Sequence, residues 1–143
     1  MRLHPIFAAL TLVAAVAHPA RAADPVPKID CATAVTTPEI GWCAEQSFIA
    51  ADRDLNALYA RVLAQIAAAD GMDAAKRRAW AADLRHAQRH WIAYRDKDCR
   101  GVTGWEWHGG TGLGAAINTC LATTSHARAK DLRARYQLLD TAR

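Results

Sequence analysis

Six polar side chains in this 143-residue chain are placed where they could do chemistry. At 100° per residue, Trp80, Leu84, Ala87, Gln88, Trp91, Arg95 and Cys99 fall on one helix face, with Gln88 and Arg95 near its middle. A later stripe of Ile117, Leu121, Thr124, Arg128, Leu132, Tyr136 and Leu139 carries Thr124 and Arg128 in the same way. Asp52 and Asn56 lie on or beside the apolar sides of an earlier helix. A carboxylate among guanidinium and amide groups in a cleft could move protons. A long polar group drawn into an apolar stripe also needs partners to offset desolvation, and such groups more often fix helix register. The second use is the expectation here. Asp52, Asn56, Gln88, Arg95, Thr124 and Arg128 should form a partly buried polar network joining three helices.

Other chemistry is poorly supported. His86 and His90 have the i, i+4 spacing of helical metal ligands, but they project away from the Trp91 face and no carboxylate ligand stands in that turn. Arg78, Arg85 and Arg89 form a basic strip that reads as a solvated flank. Gly109 to Gly114 resembles a phosphate-binding glycine pattern only loosely and has no strand before it. No Ser or Cys stands beside a candidate base. The residues predict a protein that is not an enzyme and that holds no metal or cofactor.

The elements that must position these groups are helical. Residues 1–22 read as a secretory signal peptide: Arg2 in a basic start, a short apolar run from Ile6 to Val16, and Ala20-Arg-Ala22 as the cleavage signal. That run is too short to span a bilayer, and no Cys opens the mature chain to carry a lipid. Without those residues the chain has 16 basic against 14 acidic side chains. So mild a balance, in an exported protein, argues against a nucleic-acid partner. Residues 23–37 form an N-terminal arm, and residues 38–143 a helical domain.

Thr36-Thr-Pro-Glu39 is a capping box that starts a helix running from about Pro38 to Ala69. Its main stripe is Ala44, Phe48, Ala51, Leu55, Tyr59, Val62 and Ile66, and a second side carries Ile49, Asn56 and Leu63. Asp70-Gly71 turns the chain, and Asp73 caps a second helix reaching about Arg100-Gly101. The glycine-rich stretch 101–114 is expected to be a loop, followed by a third helix from about Ala115 to Leu139. Short connections make helices one and two antiparallel neighbours. The fold class is all-α: an antiparallel three-helix bundle.

Cys31, Cys43, Cys99 and Cys120 make an even set in an exported domain, which predicts two disulfides. Counting helical rise places all four at one end of the bundle. Short local loops favour Cys31–Cys43 with Cys99–Cys120, while the same levels also permit Cys43–Cys99 with Cys31–Cys120. The loop tied down at that end holds Trp105-Glu106-Trp107-His108, the best candidate contact surface, because tryptophan on an anchored loop is strong at interfaces. The competing expectation is that one or both indoles fold back over the end of the core.

The order Cys31, Thr37-x-Glu39, Cys43, Asp52-x-x-Leu55-Asn56-x-x-Tyr59 carries a family pattern. It continues through Ala87-Gln88-x-x-Trp91-Ile92-x-Tyr94-Arg95-Asp96-x-x-Cys99 to Cys120, Thr124, Arg128 and Leu132. The chain resembles the LprI-type lysozyme inhibitors over nearly all of its mature length. The resemblance implies a small, helical, disulfide-bonded, exported bacterial protein that binds a protein partner and inhibits lysozyme. The expectation is a periplasmic or secreted protein with no stable membrane anchor, occluding the cleft of a lysozyme-type cell-wall hydrolase. The alternative is a periplasmic interaction or immunity protein with a different protein partner.

Overall fold

A computed structural model describes residues 29–137. The expected signal peptide and Leu139 of the third stripe lie outside the described residues.

Helix α1 spans Thr37–Ala67. Its start is fixed by the capping box: Thr36 Oγ1 accepts from the Glu39 amide at 3.4 Å, and Glu39 accepts from the Thr36 amide at 3.0 Å. Gly71, at φ +70°, supplies a backbone that other residues adopt only with strain, and so turns the chain. Helix α2, Ala74–Lys97, starts where the Asp73 carboxylate accepts from the Lys76 amide at 2.8 Å. The Arg77 guanidinium reaches back to the carbonyls of Ala69 and Met72 and closes this turn.

Beyond Lys97 the chain departs from the expected loop. It continues as a π turn at Asp98–Val102 and a short helix α3 at Thr103–Glu106, passing through Gly101 and Gly104 without a break. Helical backbone here is imposed by the Cys99 side chain, which is fully buried and bonded to Cys120. The break comes later, where His108, Gly109 and Gly110 take φ of 55°, 83° and 98° in succession. Helix α4 then runs Leu113–Tyr136, starting two residues before the predicted position.

The three long helices run up, down and up, so α1 and α4 point the same way and α2 opposes both. Gln65, near the end of α1, donates to the carbonyl of Tyr136, the last residue of α4. The most extensive backbone contact is between α1 and α4 rather than between the antiparallel neighbours α1 and α2. Ala51, Ala122, Ser125 and Ala129 are buried there and let the two backbones come together. The core cluster is Leu55, Leu58, Val62, Ile66, Leu84, Ala129 and Leu132, with Trp91 and Tyr136 packed at its edge. Burying each leucine, valine or isoleucine of this cluster contributes about 1.5–3 kcal/mol. The predicted second side of α1 forms only in part: Leu63 is half-buried against the core, whereas Ile49 is 51% exposed and Asn56 is exposed, and Leu58 is buried as well.

Both disulfides lie at one end of the bundle. Cys31–Cys43 joins the arm to α1, and Cys99–Cys120 joins the π turn to α4, with Cα separations of 5.6 and 5.5 Å. These are the short-loop pairings.

Candidate functional site

Helix α2 carries Arg95 into the gap between α1 and α4, where its side chain is 6% exposed. Its Nη1 donates to Asp52 Oδ1 at 2.7 Å and to Ser125 Oγ at 3.0 Å, and its Nε donates to Asp96 Oδ1 at 2.9 Å. The planar guanidinium also lies against the rings of Phe48 and Trp91, 5.4 and 5.2 Å from their centroids. Asn56 Nδ2 donates to the other Asp52 oxygen at 2.9 Å. One arginine thus bonds to all three long helices.

A second centre lies one level further from the disulfides. Arg128 Nε donates to Gln88 Oε1 at 3.1 Å and its Nη1 donates to Asp131 Oδ2 at 2.9 Å. Arg128 also faces the Trp91 ring at 5.8 Å, so that one indole lies between the two arginines. Five of the six polar residues singled out in the sequence therefore stand in two groups. Asp52, Asn56 and Arg95 form one and Gln88 and Arg128 the other. Thr124 joins neither and sits 3.8 Å from Cys99 Sγ. Ser125, Asp96 and Asp131 belong to these centres and were missed. Their signal was positional: Ser125 follows Leu121 by four residues, and each aspartate lies within one helical turn of its arginine.

Chemically, both arginines are engaged. Among the described residues no buried side-chain nitrogen or oxygen lacks a hydrogen-bond partner. Each arginine bonds to a side chain of at least one other long helix. His86 and Arg89 bond to each other at 2.9 Å, which occupies the His86 ring nitrogen facing that way. Among the described residues, Asp98, Cys99 and Cys120 bring donor atoms within 4.8 Å of one another, but the two sulfurs are spent on their disulfide.

The candidate contact residues sit at the disulfide end. Trp105 lies on α3 and is 82% exposed. Glu106 and His108 are exposed beside it. Trp107 behaves differently. It is 48% exposed, and its indole lies so close over Gly112 that a Cβ there would come within 2.7 Å of the ring. With Ile40, Thr103, Ala115 and Ala116 it lines an open, mostly apolar groove of about 580 Å³ between the starts of α1 and α4. Nothing in the spacing of residues 101–114 separates the two tryptophans in this way.

The exposed apolar surface is concentrated at this end. Val35, Ile40, Trp42, Ile49, Tyr94 and Val102 are exposed there together with Trp105 and Trp107, and among the described residues Trp80 is the large exposed apolar side chain at the other end. At the α1 start, the hydroxyl of Thr36 and the amides of Thr36 and Val35 bond to the Glu39 carboxylate and lower its pKa from the ordinary 4.5.

Comparison with known proteins agrees with this frame. The chain is 38% identical over 129 residues to an uncharacterised protein of Rhizobium meliloti (strain 1021), covering 87% of this chain and 90% of that one. No solved structure matches it. The family described as lysozyme inhibitor LprI matches residues 30–132, a stretch running from just before the first disulfide to the last core leucine of α4. All of the described bundle but the last turn of α4 falls within that match, and the chain belongs to the lysozyme inhibitor LprI family.

Proposed function

We propose that this chain is an exported binding protein that inhibits a lysozyme-type cell-wall hydrolase, and that Trp105 enters the enzyme's cleft. The observation that carries this reading is the 82% exposure of Trp105 on a rigid helical turn beside a disulfide. A soluble protein rarely leaves an indole so open unless a partner covers it. Anchoring by Cys99–Cys120 means that little ordering entropy is lost when the turn meets a surface. Export is supported by the basic, apolar and A-x-A pattern of residues 1–22. None of the described helices is long and apolar enough to cross a membrane.

A bacterial lysis assay with purified lysozyme tests the proposal. Trp105→Ala should abolish most of the inhibition, a loss of about 2 kcal/mol or more as for an interface anchor. Its melting temperature should stay within about 0.5 kcal/mol equivalent of the parent, because the side chain packs against little. Trp107→Ala should lower stability as well, since it uncovers Gly112 and the groove. Lost stability with full inhibition in Trp105→Ala would refute the contact role. No inhibition of any of several lysozymes by the parent protein would point instead to an interaction or immunity protein with another partner.

A further inference from the structure

The end of the bundle that exposes the aromatic side chains also differs from the rest in charge. Within residues 29–51 and 93–124 there are six carboxylates, Asp30, Glu39, Glu45, Asp96, Asp98 and Glu106, against three bases, Arg95, Lys97 and Arg100. Arg95 is buried and held between Asp52 and Asp96, so it adds little positive field outside. Residues 52–92 and 125–137, the opposite half, hold eleven Lys and Arg against six Asp and Glu. The chain's mild overall positive charge is thus the sum of an acidic end and a strongly basic one. The 31 residues of α1 separate the ends by about 45 Å. Ionic screening at physiological salt acts over about 8 Å, so a partner at one end does not sense the charge of the other.

We infer that the disulfide end docks against a cationic protein surface, namely the positively charged rim of a wall hydrolase's cleft. This rests on the inhibitor reading given above and deepens it. An enzyme drawn to an anionic wall polymer gains association rate from a positive rim around its cleft. An acidic face bearing an exposed indole matches such a rim in sign, with the apolar groups supplying affinity and the carboxylates orientation and association rate. Lys97 and Arg100 lie on the same end and oppose this field; the five acids other than Asp96, which is paired with Arg95, outnumber them.

The test is a binding measurement between the protein and a cationic lysozyme, repeated with the same lysozyme after succinylation of its lysines, each at low and high salt. Binding should weaken with salt and with succinylation. Glu45→Lys with Glu106→Lys, two exposed positions, should weaken binding about tenfold at low salt. Arg78→Glu with Arg85→Glu makes the total charge more acidic but at the far end, and should change affinity by less than about twofold. Melting curves of both double variants check that each is folded. If the parent binds but salt, succinylation and the Glu45/Glu106 reversals leave its affinity unchanged, the charge inference is overturned and the inhibitor reading stands. If the far-end variant gains as much affinity as the near-end variant loses, net charge rather than the acidic end is responsible, and the inference is again overturned. If the parent binds no cationic lysozyme, both fall.

Discussion

Arg95 shows why a charged group can sit in the middle of an apolar stripe. It is held by the carboxylates of Asp52 and Asp96, the hydroxyl of Ser125 and two aromatic rings. Arg95→Met keeps much of the stem but removes every polar bond. We expect a loss of about 2–4 kcal/mol in urea unfolding, at the lower side because Asp52 and Asp96 can be hydrated once released. Arg128→Met should cost less, since its side chain is 14% exposed and its carboxylate partner Asp131 faces solvent. The sequence showed that Arg95 needed partners and placed Asp52 in the same network, but the direct Asp52–Arg95 pair came from the structure. The sequence did not show Ser125 or Asp96, because hydroxyls and aspartates are common on solvated faces and only the third helix decides which of them point inward. Glu39 gives a pH signature at the same scale. Its pKa is lowered in the folded state, so its contribution is present above the ordinary carboxylate value and is lost as pH falls through the lowered one. Glu39→Gln should therefore be less stable than the parent near neutral pH and converge with it in acid, as read from urea midpoints at the two pH values.

At the scale of elements, the helix starts were legible and the region after Lys97 was not. Capping residues have local chemistry, so Thr36 and Asp73 announce α1 and α2 without reference to the fold. Gly101 and Gly104 announce a loop by the same logic, yet the chain there is helical. A local preference of about 1 kcal/mol per glycine is outweighed by a buried disulfide sulfur that fixes where the backbone must pass. Replacing Cys99 and Cys120 together by Ala should cost about 2–4 kcal/mol, given the 21-residue separation they close. The amides of 98–112 should then exchange with solvent faster than those of the α1–α4 contact. Equal acceleration along the chain would mean that the bond holds the whole bundle rather than this segment.

Taken whole, the molecule separates its tasks. The aliphatic core lies in the half away from the disulfides, and the exposed aromatic surface lies beside them. The antiparallel course of α1 and α2 followed from their short connection. The tight α1–α4 pairing did not, because it depends on small residues, Ala122, Ser125 and Ala129, that flank the more conspicuous stripe of Leu121, Thr124 and Arg128. The two ends also differ in charge, a property hidden in the overall composition and visible once the helices are aligned.

The placement of the two disulfides has one more consequence. One closes within the arm and α1, the other between the π turn and α4, and neither bridges α1 to the rest. The six residues from Ala68 to Asp73 are therefore the sole covalent link between the arm with α1 and the rest of the described chain. A single proteolytic cut in that turn would leave two separate polypeptides, each with its own disulfide intact. They would be held together only by the α1 interface, and the protein would become in effect a heterodimer whose stability depends on concentration.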